Sequence, residues 1–168
     1  MVHLWGSKTK EEVEISKSAL GETTTGDIVV LVGGEQVDMN LIHLACQMAK
    51  GASRKAHLVY IIEVPRTQAL NAVLAKESER AEKLLSTAMK VAEKVGCEAV
   101  AEVVQAREAG PAIVEEARDH NCSAIFMGLV RSYRSTPNDL GKTVPYVLAN
   151  ACCRVWLVQD PCPQHVMQ

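Results

Sequence analysis

Short β-branched runs alternate with stretches of helical period along most of this 168-residue chain, and that alternation leaves few folds open. "DIVVLV" (27–32) reads as a buried strand that ends in a turn at Gly33-Gly34. From Val37 to Met48, apolar residues at 37, 41, 44, 45 and 48 recur at helical spacing. "AHLVYII" (56–62), closed by Pro65, is a second strand, and a long helical pattern follows from Ala69 to Val95. Its apolar stripe carries Ala81, Leu84, Leu85, Ala88, Val91, Ala92 and Val95. The other face mixes lysine and arginine with glutamate, the pattern of a solvated surface with i,i+4 pairs. Gly96 is placed to end this helix, because glycine accepts the left-handed conformation that closes a last turn.

"EAVAEVV" (98–104) is a third strand, and Gly110-Pro111 opens a short helix running to His120. "SAIFMG" (123–128) is a fourth strand, followed by a polar connection over 129–139. The next helix carries Leu140, Val144, Val147, Leu148 and Ala151 on one stripe, and Pro145 is tolerated only in its first turn. That helix therefore starts near Gly141 to Thr143, and "RVWLV" (154–158) is the fifth strand. Four strand–helix units and a final strand predict a three-layer α/β/α fold around a five-stranded parallel sheet, doubly wound in the order 3-2-1-4-5. Residues 1–26 form a polar extension expected to be partly mobile, 27–160 the domain, and 161–168 a tail.

In such a sheet the connections reverse between strands 1 and 4, and ligands bind outside the carboxyl ends of the strands at that point. Those ends carry Gly33-Gly34 and Gly128, beside the helix opened by Gly141-Lys142-Thr143. Gly-Lys-Thr is also the end of a Walker A loop, whose leading glycine stands five residues earlier. Thr136 occupies that place here, and the tripeptide follows strand 4 rather than strand 1, so the loop is not a Walker A loop. What the tripeptide offers is a helix N-terminus, with unpaired N–H groups and a dipole that favour an anion. Lys142, Arg131 and Arg134 can add charge-assisted contacts to phosphate oxygens. Thr143 reads as the helix N-cap, with a phosphate contact as the alternative.

Composition narrows the function classes. A net charge of −2 gives no field for nucleic acid or anionic lipid. No apolar run reaches the ~20 residues that span a bilayer, and the N-terminus lacks the apolar core of a secretory signal, so a cytoplasmic protein without direct membrane insertion is expected. The six cysteines have no C-x-x-C spacing, and the free thiols read as small core residues, with Cys152-Cys153 the place where oxidation could matter. None of the five histidines falls near the predicted crevice, no Ser-His-Asp or paired-carboxylate set can be placed there, and no metal site is read. No enzymatic activity is expected, slow hydrolysis of a bound nucleotide being left open.

The segments "GPAIVEEARDHNCSAIFMG" and "GKTVPYVLANACCRVWLV" resemble the universal stress protein family, the likeness covering about residues 27–159. Nucleotide-binding members carry G-x2-G-x9-G-[S/T] in this region. The present chain reads Gly128, two residues, Arg131, nine residues, Gly141, Lys142, with Thr143 one place late. The aspartate that ends the first strand of binding members is Gly33 here. "VGGEQVDMNLIHLACQMA" and "EVPRTQAL" look like stress-protein domains appended to amino-acid permeases and cation transporters. The resemblance implies a degenerate crevice for ATP or AMP, with Gly33, Gly34, Ile61, Gly128, Arg131, Gly141, Lys142 and Thr143 as candidate contacts. Strand 5 reads as an exposed edge that pairs with a second copy, making Val155, Trp156, Leu157 and Val158 candidate dimer residues. The alternative is a ligand-free regulatory module acting on a protein partner such as a transporter.

Overall fold

A computed structural model describes residues 26–33, 36–72, 74–129 and 140–159. The strands are β1 (Ile28–Leu31), β2 (Ala56–Glu63), β3 (Ala99–Ala106), β4 (Ala124–Gly128) and β5 (Arg154–Val158). The helices are α1 (Gln36–Gly51), α2 (Ala75–Val95), α3 (Ala109–Asp119) and α4 (Thr143–Asn150). All strand pairs are parallel, and the sheet order is β3-β2-β1-β4-β5, as the alternation of periods predicts.

The two-residue period of the strands sorts side chains to opposite faces. Val30, Leu58 and Phe126 pack with Leu41, Ala45 and Leu85 from α1 and α2. Val29, Val59 and Ile125 pack with Ile113 and Val147 from α3 and α4. Both faces of the central strands are thus covered, which is why these strands read as unbroken apolar runs. Gly96 closes α2 at φ 73, its N–H reaching the carbonyls of Ala92 and Glu93.

Two expectations need correction. The second helix begins at Ala75, not Ala69. Gln68 N–H donates to Pro65 O and Ala72 N–H to Ala69 O, so this segment satisfies its backbone in turns. Gln105 Nε2 then holds it to β3 through Ala72 O at 3.2 Å. On α1 the buried stripe is Leu41, Ile42, Ala45, Cys46 and Ala49, whereas Leu44 and Met48 are exposed. The buried stripe is thus rotated by about one position from the expected one.

Candidate crevice at the carboxyl end of the sheet

β1 lies between β2 and β4, and its register pairs Leu31 with both Val59 and Met127. Gly33 and Gly128 therefore tip two adjacent strands on the same end of the sheet. A cleft of about 370 Å³ opens at this end. Its walls come from Leu31 to Gly33, from Tyr60 to Glu63, from Glu77 in the first turn of α2, and from Ala109 and Thr143 at the starts of α3 and α4. A second hollow of about 190 Å³ shares Glu63, Ala109 and Thr143 and extends the cleft to Arg107, Lys142 and Tyr146. Of the candidate contacts, Gly33, Ile61 and Thr143 line the first cleft and Lys142 the second. Gly34 and Arg131 lie outside the described residues, as does Arg134.

α4 aims its amino end at this region because the chain turns sharply at Gly141, which sits at φ 65 with open space around its α-carbon. A β-carbon there would strain the backbone rather than clash with a neighbour. Thr143 is the first helical residue, and Lys142 holds the cap position without a side-chain cap hydrogen bond. The expected threonine cap is thereby corrected, since Thr143 is the first helical residue and not the residue before it. Pro145 falls in the first turn, where its missing N–H is harmless.

Sequence reasoning missed several residues of the cleft, Glu63 and Arg107 among them. Glu63, the last residue of β2, accepts the backbone N–H of Ala109 on Oε1 at 2.8 Å and so caps α3 from a neighbouring strand. Arg107 donates to Val64 O at 3.1 Å and to Pro65 O at 2.6 Å, fixing the loop after β2. Nothing local marks either residue, since the partner of each lies some forty positions away in the chain.

At the opposite, amino end of the sheet a polar cluster interrupts the α3 face. His57 is buried, with Nε2 at 3.1 Å from Asp27 Oδ2 and Nδ1 at 3.3 Å from Glu102 Oε1. His120 Nε2 lies 3.4 Å from both Glu102 Oε2 and Glu116 Oε2. Burial raises the Asp27 carboxyl, but the Lys55 N–H, the His57 hydrogen bond and the nearby positive charges outweigh it, and the net shift is downward. Burial, with the Glu102 charge behind it, pushes the Glu116 carboxyl up.

The β5 edge is apolar and partly open. Trp156 is 41% exposed and Leu157 36%, while Val155 and Val158 are half-buried. The indole stacks on Phe126, ring centroids 5.6 Å apart and nearly parallel at 3°.

The family model described as "Universal stress protein family" matches residues 25–159. The chain belongs to the universal stress protein family. Its fold is that of the universal stress protein from Archaeoglobus fulgidus in complex with dAMP, at 18% identity, TM-score 0.64, covering 80% of this chain and 98% of that one. A universal stress protein in complex with cAMP superposes with TM-score 0.62 at 17% identity, covering 80% and 97%. The stress protein UspA from Lactobacillus plantarum gives TM-score 0.64 at 18% identity, covering 79% and 97%. No curated protein matches the chain significantly. Among the described residues of this stress protein, no helix is long and apolar enough to cross a membrane.

Proposed function

We propose that this stress protein is a non-enzymatic regulatory binding protein whose crevice takes an adenine nucleotide, AMP or ATP, with reduced affinity. The observation that carries the reading is the convergence of Gly33, Ile61 and Thr143 on a cleft at the carboxyl ends of β1 and β2, with Lys142 lining the adjoining hollow. The start of α4 supplies amide donors and a positive dipole end for a phosphate, and Lys142 adds an exposed charge. Two family members of the same fold are known with dAMP and with cAMP. Weak binding follows from Gly33, which offers no carboxylate to a ribose or base. Losing one charged hydrogen bond costs about 1.5–3 kcal/mol, or roughly ten- to a hundredfold in affinity. Calorimetric titration with AMP and ATP tests the reading. Measurable binding that Lys142→Ala weakens several-fold supports it, and no heat at millimolar nucleotide contradicts it. Phosphate release from ATP at the rate of a buffer control is the expected result for a protein without hydrolase activity.

A second reading rests on β5. Among the described residues β5 is an edge strand, Trp156 and Leu157 expose apolar surface on it, and a second copy of this chain is the occupant proposed for that edge. A transporter or other protein partner acting on this module is the alternative, and co-purification of the full chain as a symmetric dimer argues for self-association.

A further inference from the structure

We propose that the amino end of the sheet holds a divalent transition-metal site, of the kind Zn²⁺ fills, formed by His57, Glu102, His120 and Glu116 and far from the nucleotide crevice. The donors come from separate elements. His57 is the second residue of β2, Glu102 stands on β3 in register with Val59, Glu116 lies in the last turns of α3, and His120 follows its end. One ligand atom from each of His57, Glu102 and His120 lies within 4.8 Å of the others. Zinc bonds of about 2.0–2.2 Å to nitrogen and oxygen, set at tetrahedral angles, place neighbouring donors roughly 3.3–3.5 Å apart. The His57–Glu102 separation is 3.3 Å and the His120–Glu102 and His120–Glu116 separations are 3.4 Å. Each separation matches one edge of such a tetrahedron, but His57 meets Oε1 of Glu102 and His120 meets Oε2, so bringing the donors onto one ion requires the side chains to shift.

Three further features fit a cation. Asp27 accepts from Nε2 of His57, which leaves Nδ1 turned toward Glu102; a carboxylate on the far nitrogen of a ligating imidazole orients the ring and raises its basicity. The carboxyl end of α3 points its negative dipole end at the group. The side chains of His120 and Glu102 are 31% and 28% exposed, which leaves a path for an ion to enter. The two imidazole rings stack, centroids 4.0 Å apart and 25° between planes. An ion lying in the plane of both rings requires them to hinge apart, so metal uptake exchanges this stacking for coordination. Sequence spacing gives only part of such a site: Glu116 and His120 stand four residues apart at the end of α3, but His57 and Glu102 come from two different strands and carry no spacing signal.

The test uses the full chain, stripped with chelator, then incubated with Zn²⁺ and freed of excess ion by gel filtration. Elemental analysis is expected to find one equivalent per chain, and the melting temperature to rise with Zn²⁺. His120→Ala, at a half-buried position outside the regular elements, should lose the ion while keeping the wild-type circular dichroism spectrum. Asp27→Asn should retain the site with affinity lower by roughly 10–100-fold. The double variant Cys152→Ser/Cys153→Ser should hold zinc as the wild type does. Co²⁺ should give the visible spectrum of a nitrogen–oxygen site without a thiolate charge-transfer band. Less than a tenth of an equivalent in the wild type, unchanged zinc in His120→Ala, or loss of zinc in the cysteine variant overturns the proposal.

Discussion

Trp156→Ala separates the two roles of the β5 edge. Trp156 is 41% exposed, so about three-fifths of it is covered, and its indole stacks on Phe126. A tryptophan buries up to ~250 Å² in full, so this one removes about 150 Å² from water. At ~25 cal/mol per Å² that is roughly 3–4 kcal/mol, an upper value because unfolded chains already bury part of their apolar surface. The aromatic pair adds about 0.5–1.5 kcal/mol. The expected loss in the isolated protomer is thus about 3–5 kcal/mol. Urea unfolding followed by circular dichroism at low and high protein concentration measures it. The wild-type midpoint should rise with concentration if β5 pairs two copies, because dimerisation stabilises only the folded chain. Trp156→Ala should lower the midpoint and remove its concentration dependence. A loss below about 1 kcal/mol would refute the packing argument, and a wild-type midpoint independent of concentration would refute the pairing of β5.

Three further outcomes follow from single contacts. Glu63→Ala removes the carboxylate that accepts the Ala109 N–H and should cost about 0.5–2 kcal/mol of stability in chemical denaturation, whereas a neutral result would show that α3 starts without that cap. Gly141→Ala should destabilise by about 1–2 kcal/mol through its φ of 65, with Gly141→Asn milder; equal stability of Ala and Asn variants would argue against a left-handed turn there. Burial pushes the Cys46 and Cys122 thiols up to about 12, so alkylation of the native protein near neutral pH should spare both and mark the exposed Cys152. Peptide mass spectrometry reads this directly, and labelling of Cys46 as fast as Cys152 would contradict the buried placement.

The topology was legible because each level of the chain agreed. "RVWLV" is β5 residue for residue, Pro145 fixed the start of α4 to within two positions, and Gly96 ended α2 where expected. The convergence of Gly33, Thr143 and Lys142 followed from strand order alone. What could not be read depended on contacts between distant segments. Residues from Ala69 to Leu74 have helical composition, yet turn hydrogen bonds and Gln105 hold Ala69 to Ala72 outside the helix. On α1, the choice between Leu44 and Ile42 for burial was settled by neighbours on α2 and the sheet, not by spacing. Glu63, Arg107 and the His57–His120 pair gain their roles only when β2, β3 and α3 are brought together.

A gain of function tests the crevice most directly. Calorimetric titration of AMP into wild type and Gly33→Asp, under identical salt, compares the crevice without and with a carboxylate at the tip of β1. Tighter binding by the variant, by roughly ten- to a hundredfold, is the predicted result. Equal affinities, or no binding by either protein, would contradict the assignment of the β1–β4 switch point as a nucleotide site.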